Sequence, residues 1–174
     1  MVVRTEKVIF REEILAWGAI NRYRPKLQGK KVLLITGGVK SWSVVSALQE
    51  SGMEIVSTSV KKSTDNDKEK IKELMGEDAH MFDDMRPRDM YAMLKESRAD
   101  IMLSGGRSQF VALKVKMPWL DINQERHHAY AGYVGMVELV KQIKQALHHP
   151  VWEQVRKPAP WEIVTETTAE AKAA

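Results

Sequence analysis

Gly29-Lys30-Lys31-Val32-Leu33-Leu34-Ile35-Thr36-Gly37-Gly38 is the stretch on which the fold turns. It holds four apolar residues in a row. Their run, opened and closed by glycine, has the pattern of a strand buried on both faces, as in a parallel sheet covered by helices. Gly37-Gly38 then reads as the turn from that strand into a helix.

Working outward, the same alternation repeats. The spacing predicts a helix to about Gln49, a strand over Glu54 to Val60, a helix over Asp65 to Met75 and a strand over Ala79 to Phe82. A helix over Pro87 to Ser97 and a strand over Asp100 to Leu103 follow, and Ser104-Gly105-Gly106 closes that strand as Gly37-Gly38 closes the first. A further helix to about Lys116, a fifth strand over Pro118 to Ile122 and a last helix complete the series. Ile71, Leu74 and Met75 share one helical face, as do Met90, Met93 and Leu94, and Pro87 suits a first helical position. Met136, Val140, Ile143 and Leu147 fall at i, i+4, i+7 and i+11, and Pro150 stops them. Before the first strand, Val8, Leu15, Ala19 and Tyr23 predict a leading helix from about Thr5 to Tyr23, ended by Pro25.

Strands alternating with helices imply right-handed βαβ units and a doubly wound, Rossmann-like parallel sheet of the α/β class, in the order 3-2-1-4-5. The expected organisation is a leading helix over 1–28, one domain over 29–163 and a flexible tail over 164–174. At 174 residues and 44% hydrophobic, the chain is long enough for one sizeable core. Its 27 basic and 23 acidic residues leave a formal charge of +4, with no block of Lys and Arg interleaved with aromatics, so nucleic acid is not an expected partner. Cysteine is absent, which removes disulfides, thiolate-ligated iron–sulfur clusters and cysteine nucleophiles of this chain's own. No leader-like or bilayer-length apolar run occurs, so the expectation is a cytoplasmic chain with no membrane partner.

In the order 3-2-1-4-5 the first and fourth strands are neighbours where the winding reverses, which is where ligands of such sheets collect. Both end in Gly-Gly. Glycine lets backbone N–H groups approach a ligand, and a following helix N-terminus favours negative charge, so Gly37, Gly38, Gly105 and Gly106 are candidates to cradle an anion, with Lys40 and Arg107 as reinforcing bases. Neither loop carries the three-glycine dinucleotide fingerprint or the Lys-Ser/Thr ending of a P-loop. Taken singly, a Gly-Gly after a strand is more often a tight turn than a site; two at neighbouring positions, each followed by a base, favour the site.

His127-His128 and His148-His149 are poor chelators, since adjacent helical positions point about 100° apart. The methionines fall mainly on apolar faces as core filler. Asp83-Asp84 reads as a helix cap before Pro87. Trp152 and Trp161 read as docking residues for the tail.

At this level of detail the motifs themselves become recognisable. Gly29 to Gln49, Lys61-Lys62-Ser63-Thr64, Glu73 to Asp78, Leu120 to Arg126, Tyr130-Ala131-Gly132-Tyr133, Pro150 to Glu153 and Arg156 to Trp161 are similar to the C-terminal domain of α-type subunits of the nitrogenase component 1 family, in particular to the members that assemble the iron–molybdenum cofactor. The resemblance implies a Rossmann-like domain and a role as part of a scaffold holding an iron–sulfur, FeMo-cofactor precursor with homocitrate during maturation. It implies as partners a β-type (NifN-like) scaffold subunit and the nitrogenase iron protein; a homo-oligomer is the other assembly considered. It matches Gly37 and Gly38 to a loop whose amides approach the cofactor's sulfides and Lys40 to a cofactor-contacting arginine. Gly105, Gly106 and Arg107 match the segment at the homocitrate end, where catalytic subunits use a lysine. Asn123 falls at the histidine that ligates molybdenum there, and Val134 stands where an acidic residue is expected. The cluster-binding cysteines of the family belong to the preceding domains. No metal ligand and no catalytic residue is assigned to this chain. Two other readings stay open: a fragment of a nitrogenase-like oxidoreductase α subunit, and a stand-alone module for a small anionic ligand.

Overall fold

The computed structural model describes residues 2–37, 40–123 and 127–159. Its strands are β1 (Lys31–Ile35), β2 (Glu54–Ser59), β3 (Met81–Phe82), β4 (Ile101–Ser104) and β5 (Trp119–Asp121). They form one parallel sheet in the order β3-β2-β1-β4-β5, as the alternation predicts. The helices are α1 (Val2–Ile20), α2 (Ser41–Glu50), α3 (Asp65–Met75), α4 (Pro87–Glu96), α5 (Gln109–Lys114), α6 (Gly132–Leu147) and α7 (Val151–Val155). Short 3₁₀ turns precede β1 (Arg24–Lys26) and α5 (Gly106–Ser108).

Successive strand residues face opposite ways, and the core divides accordingly. Val32, Leu34, Ile101 and Leu103 join Val45 and Leu48 of α2, Ile20 of α1 and Leu139, Val140 and Ile143 of α6 on one face. Leu33 and Met102 meet Met90 and Leu94 of α4 and Val111 and Ala112 of α5 on the other. Both faces are covered, which is why β1 and β4 read as unbroken apolar runs. At the amino ends of these two strands Asp100 ties them together. Its carboxylate accepts from the Lys31 backbone N–H at 2.8 Å and from Lys30 Nζ at 3.0 Å.

Two local expectations are corrected. Val8 and Leu15 do not make the buried stripe of α1; both are exposed, and the residues that pack are Ala16 and Ile20, with Trp17 and Tyr23 half-buried beside them. The contacting face lies roughly 100° around the helix from the one read in the sequence, a turn of one residue. α1 has apolar residues on several faces, so periodicity alone does not choose among them. Asp83-Asp84 does not cap α4, whose N-cap is Arg86 with no side-chain cap bond. Asp84 sits two residues upstream, accepts from the N–H of Met85 at 3.1 Å and pairs with Lys61 instead.

The histidine pairs have structural partners: His128 stacks on Tyr130, His148 Nε2 lies 3.3 Å from the Lys26 carbonyl, and His149 Nδ1 accepts from Val151 N–H at 3.2 Å. Trp152 donates from Nε1 to the Ala146 carbonyl at 2.9 Å, holding α7 to the end of α6. Trp161 and the 164–174 tail lie outside the described residues. Among the described residues no helix is long and apolar enough to cross a membrane.

Candidate functional site at the carboxyl ends of the strands

Parallel pairing aligns Ile35 with Ser104, so the turn after β1 and the turn after β4 leave the sheet side by side. Gly37 has φ +79°, the left-handed region in which a Cβ is penalised. The turn is held from beneath by the end of β2. Ser59 Oγ accepts from the backbone N–H groups of both Thr36 and Gly37 at 3.0 Å, and the N–H of Lys62 donates to the Gly37 carbonyl at 2.9 Å. Ser41 Oγ donates to the Ser59 carbonyl at 2.7 Å and lies 2.6 Å from Thr36 Oγ1, which binds the first turn of α2 into the same network. The Ser41 and Ser59 hydroxyls are buried, and burial is tolerable because each has a partner.

The second turn has its own supports. Trp119 Nε1 donates to Ser104 Oγ at 2.7 Å, and Ser104 Oγ donates to the Gly105 carbonyl at 3.1 Å. A Cβ on Gly105 would stand 2.7 Å from Asn123 Nδ2, and one on Gly106 would stand 3.3 Å from a carboxylate oxygen of Asp121. Glycine at these positions is what lets β5's trailing residues close over the turn. Asp121 also accepts from the Asn123 N–H at 2.9 Å, which fixes the Asn123 backbone while its side chain stays exposed.

Two hollows receive the candidate residues. Gly37 and Arg107 share a cleft of about 260 Å³ at the carboxyl ends of β1 to β4, together with Ser59, Lys61, Asp83 and Asp84. Lys40 instead lines a groove of about 750 Å³ between α2 and α6, with Val44, Ala47, Tyr130, Met136 and Leu139. The structure therefore joins Gly37 to Arg107 and gathers Gly105, Gly106 and Asn123 at one turn, while Lys40 belongs to the wall of the second hollow. Gly38 lies outside the described residues. In the groove Tyr130 donates to Gln142 Oε1 at 2.8 Å, and burial, with Glu138 and Asp121 nearby, raises its phenol above the ordinary value. Gly135 allows the 129–130 backbone to lie on α6, since a Cβ there would be 2.5 Å from the Ala129 carbonyl oxygen.

The smaller cleft is not the one-sided positive pocket that Gly-Gly, Lys40 and Arg107 imply. Its wall carries Lys61 and Arg107 against Asp83 and Asp84, two bases and two acids, so the formal charges cancel. Lys61 is paired with Asp84, and the hydrogen bond and charge of Lys61 hold the Asp84 carboxyl below the ordinary carboxylate range. Ser59, Lys61 and Asp84 were not legible as site residues. Lys61 sits in a matching motif, yet nothing in a linear pattern says that β2 ends beside the Gly37 turn.

The sequence model of the family described as nitrogenase component 1 type oxidoreductase matches residues 2–148. The nitrogenase iron-molybdenum cofactor biosynthesis protein NifE of Bradyrhizobium diazoefficiens is 68% identical over 163 residues, 94% of this chain and 30% of the relative. The protein of the same name from Mesorhizobium japonicum is 66% identical over 159 residues, 91% of this chain and 32% of its own length. The chain thus spans about a third of the length of these relatives. A solved structure described as nitrogenase Cp1 at pH 5 superposes with a TM-score of 0.74 at 23% identity, over 91% of this chain and 38% of that one. That likeness bears on the fold.

Proposed function

The chain belongs to the family of nitrogenase component 1 type oxidoreductases, and from that premise we propose that it supplies one wall of the site in which a cofactor-assembly scaffold holds an iron–sulfur precursor of the FeMo cofactor. The observation that carries this reading is the meeting of the Gly37 turn and Arg107 in one cleft at the ends of β1 and β4. A cluster in assembly is cargo, and it presents sulfides and carboxylates outward. The Gly37 N–H is spent on Ser59 Oγ, so the turn contributes close approach of its backbone, and the Arg107 guanidinium contributes the group that suits that anionic periphery.

The metals themselves are not matched by this chain's donors. It has no cysteine, and among the described residues no group of three or more His, Cys, Asp or Glu is gathered as a metal site. Asn123, exposed beside Gly105, offers an amide, a poor metal ligand beside imidazole, and such a contact favours release over retention. In this reading Gly37, Gly38, Gly105 and Gly106 approach the cargo, Arg107 binds a carboxylate end such as that of homocitrate, and Lys40 flanks the site from the neighbouring groove. Thiolate ligation and any catalysis fall to other parts of a cytoplasmic assembly that includes a β-type subunit and the nitrogenase iron protein.

The test is anaerobic co-purification of this chain with a β-type scaffold subunit, followed by iron and molybdenum analysis. Iron is expected in the wild-type complex and less of it with Arg107→Gln. If the complex forms without iron while the chain alone still binds citrate, the stand-alone anion-binding module is the better account.

A further inference from the structure

Outside the residues discussed as contacting cargo, the strongest unassigned feature is the loop after β2. Together with Ser59, the last residue of β2, it clamps the first glycine turn through the Lys62 N–H, and it carries Lys61 into the same cleft as Arg107. Lys61 is not buried: its side chain is 53% exposed and that of its partner Asp84 is 73% exposed. An exposed pair of this kind is weak and exchangeable. Lys61 therefore has an anion of its own when the cleft is empty and enough exposure to exchange it for a different one.

We propose that Lys61 is a second ligand-binding base of this cleft, held in reserve by Asp84 and transferred to a polycarboxylate that Arg107 binds at the same time. This rests on the reading of the cleft as an anion site given above. The exchange has a consequence for specificity. A monocarboxylate offers Lys61 no more than the carboxylate it already holds, so it gains nothing by displacing Asp84. A ligand with two or more carboxylates, once one of them is held by Arg107, presents the next at high local concentration and wins the exchange. The cleft would then select ligands by the number of carboxylates they carry, even though its own wall is formally neutral.

The experiment is titration of the full chain with citrate and, separately, with acetate, at matched ionic strength, by calorimetry or amide chemical shift. Arg107→Gln, Lys61→Gln, Asp84→Asn and the double variant Lys61→Gln/Asp84→Asn are compared with the wild type, and Lys68→Gln on the exposed side of α3 controls for net charge. Lys61→Gln is expected to weaken citrate binding by about two- to fivefold. Asp84→Asn, which frees Lys61, is expected to tighten it by a similar factor. The double variant should behave as Lys61→Gln alone, because Asp84 acts only through Lys61. Acetate should bind weakly and not respond to Lys61→Gln, and it should bind slightly better in Asp84→Asn, where Lys61 has lost the carboxylate it held.

If Arg107→Gln weakens citrate binding while Lys61→Gln and Asp84→Asn leave it unchanged, the role of Lys61 is wrong and the anion-site reading stands. Equal effects from Lys68→Gln would reduce the result to bulk charge and overturn the proposal. No citrate binding by the wild type would overturn both. All the altered side chains are exposed or half-exposed, and unchanged far-UV and thermal profiles would confirm that folding is not what is being read.

Discussion

Ser59 commits one oxygen to two backbone N–H groups, and the conformation of the Gly37 turn depends on it. Removing that oxygen leaves two donors at the edge of the core without an acceptor. Ser59→Ala is expected to cost about 1–3 kcal/mol, the penalty for orphaned polar groups, measured by urea unfolding. Gly37 is a separate case. Space around it is open, so Gly37→Ala meets no clash, and its cost is the left-handed backbone alone, about 1–2 kcal/mol. A cost near zero would mean the turn relaxes to another conformation. At this scale the sequence shows the glycines, because φ > 0 is written in the residue type. It does not show Ser59 or Lys61, because their roles arise from pairing β2 with β1 across more than twenty residues of chain. The assignment of Lys40 to the groove is of the same kind: its place is set by the start of α2, a geometry no motif encodes.

Elements follow the periodic signal where one face alone is apolar. α3 runs from Asp65 to Met75 as the sequence predicts, and its start is fixed by a reciprocal capping box between Thr64 and Asp67. Thr64→Ala is expected to lose about 1 kcal/mol of stability. α1 defeats the same method because Val8, Ile9, Phe10, Ile14 and Leu15 are apolar and exposed on different sides. α7, five residues long, is too short for any periodicity to register. Gly135 on α6 is confined by backbone rather than by a flexible side chain, and Gly135→Ala should destabilise through direct contact with the Ala129 and Tyr130 backbone, by about 1–3 kcal/mol. The β1–β4 junction adds a pH dependence. Burial pushes the Asp100 carboxyl up, but the Lys31 N–H and Lys30 ammonium outweigh it, leaving it below its ordinary value. A carboxyl lowered in the folded state contributes stability above its unfolded value of about 4, lost as pH falls through the lower folded value. Asp100→Asn should therefore remove part of the acid sensitivity as well as about 1 kcal/mol at neutral pH, discounted for its partial exposure.

For the molecule as a whole, strand order is the most legible property, since right-handed crossovers and two buried strands leave few arrangements open. What that order brings together at the strand ends is less legible, because side chains from four strands meet there and only two of them end in a recognisable motif. The exposed apolar residues of α1 contribute little to the fold, so Phe10→Asp should change the unfolding free energy by less than about 0.5 kcal/mol. The central claim is that Gly37 and Arg107 act as one anion site. Amide chemical shifts of the ¹⁵N-labelled chain during citrate titration test it most directly. The Gly37, Ser59 and Arg107 signals should move together with one dissociation constant, and Arg107→Gln should weaken the response at Gly37 and Ser59 alike. Separate constants for the two turns, or shifts confined to the groove of Lys40 and Tyr130, would contradict it.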